Sequence, residues 1–486
     1  MNETQTKRSA NAFALSNVMA GLEGTIVATA LPAIVSSLHG ITEMSWVITA
    51  FMLMMAISAP IWTKLAERFG YKQVFITGTL VFIISSLLSG LSLSMPMLIV
   101  AHGVMGIGSG AMQQLPFVIY GLMFEPTRRR VAVGNAVSAY SIAAIVGPII
   151  GGIIVDSLGW RWVFFINIPI GMFMIWLIAR NFKLESPVNR KSIDYLGSTL
   201  LSLATITLML ALQFLGQANS NAFEIITLIL VSLVLYLLFI VAEHRAKDPI
   251  IPLTLLHNRS LMMKNGVMFL QYGFFNFYNN YLPTWGQGVF GKTALIGGMI
   301  LIPGAIALAI SSRLSNRLLQ FFSERLAVTL GMLLMLLGDL LLVVLPFNTN
   351  FIWLPVAAAI IGLSFGMVNV TLQVAVQESV SPEHIGAATA LNSLIRTLGS
   401  TLVLSALSVS LNQSFTSGIA HHSGLTITLL TRISDSTALH LIPSALIEPL
   451  RQVLYGGLHN LAIISLFILA FAVLLNWIDP WIKSKV

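Results

Sequence analysis

Apolar runs of about 20 residues recur along almost the whole chain, each long enough to cross a hydrocarbon core of ~30 Å as a helix. They fall near 12–36, 46–63, 74–94, 97–122, 131–155, 161–180, 194–214, 223–242, 261–288, 295–312, 326–346, 353–376, 386–411 and 457–478, fourteen in all. Hydrocarbon offers a backbone N–H or C=O no water to bond, and an α-helix satisfies both within one segment. The pattern therefore implies an all-α polytopic membrane protein. With 56 % hydrophobic and 9 % charged residues, the chain also has too little polar surface for a soluble globule.

Net charge is +8, but the basic residues are dispersed between the runs and form no nucleic-acid patch. Only Arg161, Lys292, Arg432 and Arg451 fall in one set of alternating loops, and Arg396 lies within a run; every other Lys and Arg falls in the opposite set. The positive-inside rule then places both termini in the cytoplasm and supports an even helix count. There is no cysteine, which excludes disulfides and thiol ligands. The first run lacks a cleavage site and reads as a retained helix. A long outer segment spans about 412–456, and the spacing of Leu446, Leu450 and Leu454 predicts a short surface-lying helix over 441–455. TKLAERFG after the second run is echoed by SRLSNRLL after the tenth, as in transporters built from two repeats with a site between them.

Glu23 lies about 11 residues into the first run, or ~16 Å at the helical rise, near the bilayer centre. An ionisable group there is costly and reads as functional, and hydrocarbon favours the protonated form of a carboxyl. His102 in the fourth run is a second group able to titrate near neutral pH; it shares a face with Gln113, and Gln113 and Gln114 are expected to line a substrate cavity. Gly106 and Gly110 form a GxxxG pair that admits a close neighbour. In the fifth run, Gly147, Pro148, Gly151 and Gly152 predict a bent, tightly apposed helix.

The ninth run alternates aromatic rings with amides, and Gln271, Phe275, Tyr278 and Asn279 are expected to line a substrate cavity. Asn369, Gln373 and Gln377 form one polar stripe on the twelfth helix, read as cavity lining or helix contact. Asp339 and Arg396 are the other charges within runs; pairing, ligand binding and exposure near a helix end all remain open for them. No Walker A loop, HExxH or paired-histidine cluster is present, so neither ATP hydrolysis in this chain nor a metal is indicated, and no nucleophile and base assemble into an enzyme site.

Several segments carry a more specific likeness: LEGTIVATALP from Leu22, SAYSIAAIVGPIIGG from Ser138, GWRWVFFINIPIG from Gly159 and NSLIRTLGS from Asn392. With these the chain resembles the major facilitator superfamily, in its fourteen-helix drug:proton antiporter branch of the EmrB/QacA type. The likeness implies two six-helix bundles, 1–192 and 246–486, with two inserted helices at 193–245. It also implies an antiporter motif at Gly147, Pro148, Gly151 and Gly152, and a cytoplasmic charge latch of Glu67, Arg68 and Glu125. Glu23 stands where the family usually has Asp and His102 where it has Arg, so a permanent cation is replaced by a titratable one. Thr63 and Tyr71 replace the loop's usual Gly and Arg.

The resulting expectation is a monomeric efflux antiporter of the cell membrane, without a cofactor, that exports small lipophilic, cationic amphiphiles by alternating access. Its energy would come from the proton gradient through Glu23 and His102. The alternative is a proton-coupled transporter of one metabolite on the same fold.

Overall fold

The structure is a computed structural model of the chain and describes residues 3–38, 44–182, 194–215, 221–420, 424–426, 429–430, 433 and 442–479. The expected boundary at 192/193 and most of the middle of the long outer segment lie outside them.

Long helices account for nearly all of the described chain. They are α1 (Glu3–Leu38), α2 (Met44–Phe69), α3 (Tyr71–Gly90), α4 (Met95–Met123), α5 (Pro126–Leu158), α6 (Asn167–Asn181), α7 (Tyr195–Leu215) and α8 (Ala222–Arg245). The series continues with α9 (Arg259–Thr284), α10 (Ile302–Leu318), α11 (Glu324–Val344), α12 (Trp353–Glu378), α13 (Ile385–Ala420) and α14 (Ser444–Ile478). Thirteen of the membrane-length helices are apolar enough to cross a bilayer on composition alone. The remaining one, α9, is more polar because Gln271, Asn276, Asn279 and Asn280 interrupt its rings, yet it runs for 26 residues.

Local chemistry sets several of the ends. Asn258 caps α9 by accepting from the Leu261 N–H at 3.0 Å, and Ser323 caps α11 through Leu326 N–H. Arg129 donates to the Gly121 and Phe124 carbonyls that end α4. The sixth span is broken: a turn at Trp162–Phe165 precedes α6, and Pro169 lacks the donor that would bond the Phe165 carbonyl.

Two boundaries differ from the sequence reading. The segment expected to lie on the surface as a separate helix is instead the start of α14, with Leu450 and Leu454 buried. Tyr455 and His459 there reach the last carbonyls of α11, at Leu345 and Val343, both at 2.7 Å. At the other side of the segment, α13 continues to Ala420. Both helices outrun the hydrocarbon, so their ends carry no hydropathy signal.

The pairing of helices repeats. In the first six, α1 packs on α5, α2 on α4, α3 on α4 and α3 on α6; in the last six, α9 packs on α13, α10 on α12, α11 on α12 and α11 on α14. The contacts rest on matching glycines. A Cβ at Gly106 of α4 would strike the Phe51 carbonyl of α2, and one at Gly362 of α12 would strike Gly304 of α10. Helices α7 and α8 pack on each other, and α7 also touches α2 and α13.

Contacts between the two sets of six lie at the end where Lys64, Arg68 and Arg128–Arg130 cluster, here called the basic end. Ser138 Oγ donates to the Ala309 carbonyl at 2.6 Å, Gln377 Nε2 donates to the Phe117 carbonyl at 3.0 Å, and Gly134 meets Ser312. Val370 and Val374 of α12 join the buried cluster of the first six helices. The basic end is therefore closed.

Because Gly106 abuts backbone, Gly106→Val should cost ~1–3 kcal/mol through overpacking and lower the thermal midpoint of the detergent-purified protein. Gly152→Ala, whose new carbon meets nothing within 4 Å, should leave that midpoint unchanged.

Candidate functional site

Glu23 is 2 % exposed and His102 equally so. The Glu23 carboxyl lies among α1, α3, α4 and α6: Oε1 is 3.3 Å from His102 Nε2, and Oε2 accepts from Asn167 Nδ2 at 2.8 Å. Behind the imidazole, Nδ1 is 2.8 Å from the Val47 carbonyl of α2. Asn167 also donates to Ser86 Oγ, which donates to the Phe164 carbonyl. The imidazole stacks on Phe51, with centroids 4.7 Å apart, and meets the edge of Phe164.

These contacts fix a proton count. A carbonyl only accepts, so Nδ1 must carry hydrogen. The contact between Nε2 and Oε1 then needs one more proton, either on the imidazole, giving an ion pair, or on the carboxyl, giving a neutral pair. Neutral His beside a bare carboxylate would set two lone pairs against each other in one contact or the other. The arrangement is thus satisfied only when Glu23 and His102 hold one proton beyond the carboxylate and neutral imidazole.

Asn167 was quoted in a motif but not singled out by sequence. Its signal was available: an amide in an apolar run, two residues before a proline.

The α5 residues Gly147 and Gly151 bring that helix onto α1 one turn beyond Glu23. A Cβ at Gly147 would strike Thr25 Oγ1, and one at Gly151 would lie 3.3 Å from Ile26 Cα. Pro148 faces outward, and α5 runs uninterrupted through it. Gly24, next to the carboxylate, is exposed with nothing near it, so α1 turns Glu23 inward and Gly24 toward open space.

Gln113 is half-buried, while Gln114 is buried with its Nε2 unpartnered. Across the interface, α9, α12 and α13 carry the other polar groups. Arg396 donates to Tyr272 Oη at 2.9 Å and to Gln373 Oε1 at 3.1 Å, and Tyr272 donates to Asn369 Oδ1 at 3.0 Å. Phe275 stacks on Phe365 with centroids 3.8 Å apart. Asn279 bonds back to its own helix at Phe275, Gln271 donates to the Phe365 carbonyl, and Tyr278 is buried with its hydroxyl unpartnered. Tyr140 of α5 is 42 % exposed.

The family model described as the Major Facilitator Superfamily matches residues 13–404. The chain belongs to the major facilitator superfamily. Multidrug transporter protein MdtP of Bacillus subtilis (strain 168) is 34 % identical over 393 residues, covering 80 % of this chain and 72 % of its own length. Multidrug efflux pump SdrM of Staphylococcus aureus (strain N315) is 30 % identical over 397 residues, 80 % of this chain and 86 % of its own. The solved structure of the proton:xylose symporter XylE superposes with a TM-score of 0.66 at 13 % identity, over 100 % of this chain and 98 % of that one. The fold is that of the superfamily, two six-helix bundles with two inserted helices, and the protein is a transporter, not an enzyme.

The residues expected to form the cytoplasmic latch lie at the basic end. Glu67 pairs with Lys64 at 3.4 Å and lies over Gly386 at the start of α13; Arg68 is exposed above the Phe69 ring; Glu125 is exposed before α5 and makes no side-chain cap. Arg130 bridges the two bundles, binding Glu324 of α11 and Glu378 of α12. Sequence reading used Arg130 only for orientation, although two acids at helix ends on its own side of the membrane marked its partners.

Asp339 stands apart, fully buried between α11 and α14, with Oδ2 accepting from Ser465 Oγ at 2.6 Å and Oδ1 unpartnered. No cation bridges it among the described residues. Asp339→Asn keeps this shape and hydrogen bond, so it should fold normally and transport at the wild-type rate in vesicles; a lost pH dependence in this variant would assign Asp339 to coupling after all.

Proposed function

We propose that this transporter is a proton-coupled exporter of lipophilic small molecules, working by alternating access as a monomer in the cell membrane with both termini cytoplasmic. The observation that carries the proposal is the proton count at Glu23 and His102. On this orientation the basic end is cytoplasmic, and closure there leaves the transporter facing outward. An outward-facing antiporter is the state that takes up its proton, and the Glu23–His102 contact is complete only with that proton aboard.

The loaded pair has no net charge and can remain in its apolar shell while the bundles rock. Without the proton it carries −1 and an unpaired contact, a state that water or bound substrate must compensate. Coupling follows from that difference between conformations, since a ligand shifts an equilibrium only by its differential affinity for the two states. Substrate and proton act through the packing of α1 on α5, since Glu23 is enclosed and only its neighbour Gly24 meets open space. A cationic substrate, the charge favoured by the sequence, would meet Glu23 only once that enclosure opens. The resemblance to multidrug pumps supports a lipophilic substrate.

Glu23→Gln retains a neutral hydrogen-bonding partner for His102 but cannot release a proton. It should abolish uphill dye accumulation in everted vesicles while leaving downhill equilibration; uphill transport that survives would refute the coupling role. Arg130→Gln should loosen the closed basic end by ~1–3 kcal/mol, the usual range for coupling between states. The chain has no cysteine, so a single Ser138→Cys reports this as faster thiol labelling, about 5- to 150-fold at equilibrium.

A further inference from the structure

Arg396 is a basic side chain within a membrane span that the proton mechanism does not use. It lies about 11 residues into α13, ~16 Å along the axis and so near mid-membrane, and it is partly exposed. Its partners are Tyr272 Oη, Gln373 Oε1 and the face of the Tyr272 ring, 5.0 Å from the guanidinium carbon. All of these are neutral, and no carboxylate lies within ion-pair distance among the described residues. A guanidinium stays charged at any physiological pH, so the positive charge persists without a counter-ion.

The hydrogen bonds around it run in one direction. Arg396 donates to Tyr272, Tyr272 donates onward to Asn369, and Gln373 uses its carbonyl oxygen to receive Arg396. Two donor nitrogens, both buried, are then left over on adjoining side chains: Arg396 Nε and Gln373 Nε2, the latter on a residue 1 % exposed. Leftover donors beside an uncompensated cation complement an oxyanion, which accepts and carries the opposite charge. Arg396 is itself partly exposed, which gives such a group access to the guanidinium, and the rings of Phe275 and Phe365 offer an apolar surface for the rest of the molecule.

We infer that Arg396 and Gln373 form the headgroup site for an amphiphile bearing a carboxylate, sulfonate or phosphate. The ligand's oxyanion accepts from both side chains and its apolar body lies against the aromatic wall. The inference rests on the exporter reading only for the direction in which that ligand is carried. The sequence pointed to a cation because Glu23 was the acid in view, but Glu23 is enclosed and the partly exposed mid-membrane charge is positive.

The test is binding to the full chain in neutral-lipid nanodiscs, with empty nanodiscs subtracted, of two dansyl-alkyl probes that share a tail and end in a sulfonate or a quaternary ammonium. Wild type should bind the sulfonate probe ~10-fold or more tightly than the ammonium probe, the scale of a charge-assisted hydrogen bond. Arg396→Gln should bring the ratio near one, and Arg396→Lys, which keeps the charge but not the planar fork, should fall between. Equal affinities in wild type, or a preference for ammonium, would overturn the inference, as would an undiminished ratio in Arg396→Gln. If that variant does not fold, Gln373→Leu decides: it should weaken the sulfonate probe selectively, and unchanged selectivity counts against the site. Binding needs no gradient, so failed uphill export with an intact sulfonate preference would reject the exporter reading and leave this site standing.

Discussion

The contact between the Glu23 carboxyl and the His102 imidazole, in an apolar shell, is the constraint on which the first bundle depends. It joins α1 to α4 directly, reaches α2 through the Val47 carbonyl, and reaches α6 and α3 through Asn167 and Ser86. Each contact is ordinary alone. Together they make four other helices sensitive to whether one site on α1 is charged, because buried donors and acceptors are costly to leave unmatched. Phe51 and Phe164 enclose the imidazole and exclude water that would otherwise relieve a mismatch.

What moves in response is set by packing. Glycines on α4 and α12 hold their neighbours at backbone distance, so each bundle is stiff and rearrangement falls on the surfaces between bundles. Those surfaces meet at the basic end through Ser138, Gln377 and Arg130, whose hydrogen bonds and ion pairs can be broken and remade, and through the packing of Gly134, Val370 and Val374. The arrangement suits a molecule with two alternative closures, because rigid bodies joined by a few polar contacts switch more readily than they deform.

Much of this was legible in the sequence, for identifiable reasons. Hydropathy marks helices that lie in hydrocarbon, so all fourteen could be placed, including α9, whose amides dilute its apolarity without shortening it. The same signal stops at the bilayer edge, which is why the ends of α13 and the first turns of α14 escaped it. Glu23 and His102 stood out because an ionisable group in an apolar run is rare. Their relation to each other did not, since 79 residues separate them and contact between them is set by how α1 and α4 pack. Asn167 was hidden by being neutral, and Arg130 by lying among three arginines whose obvious use was orientation. The matching glycine pairs Gly106, Gly110 and Gly362, Gly366 record the internal duplication more plainly than the loop echo, but only once their partners on α2 and α10 are known.

The inserted pair α7 and α8 has a mechanical consequence. Because α7 touches both α2 and α13, and Ser405 of α13 donates to its Leu212 carbonyl, one seam between the bundles has a helix laid along it. The opposite seam, where α5 meets α10, has outward-facing Ile142, Ile306 and Ile310 at its margin. The molecule is thus bolstered along one flank and left with bare apolar side chains on the other, so the two flanks present unlike surfaces to the surrounding lipid.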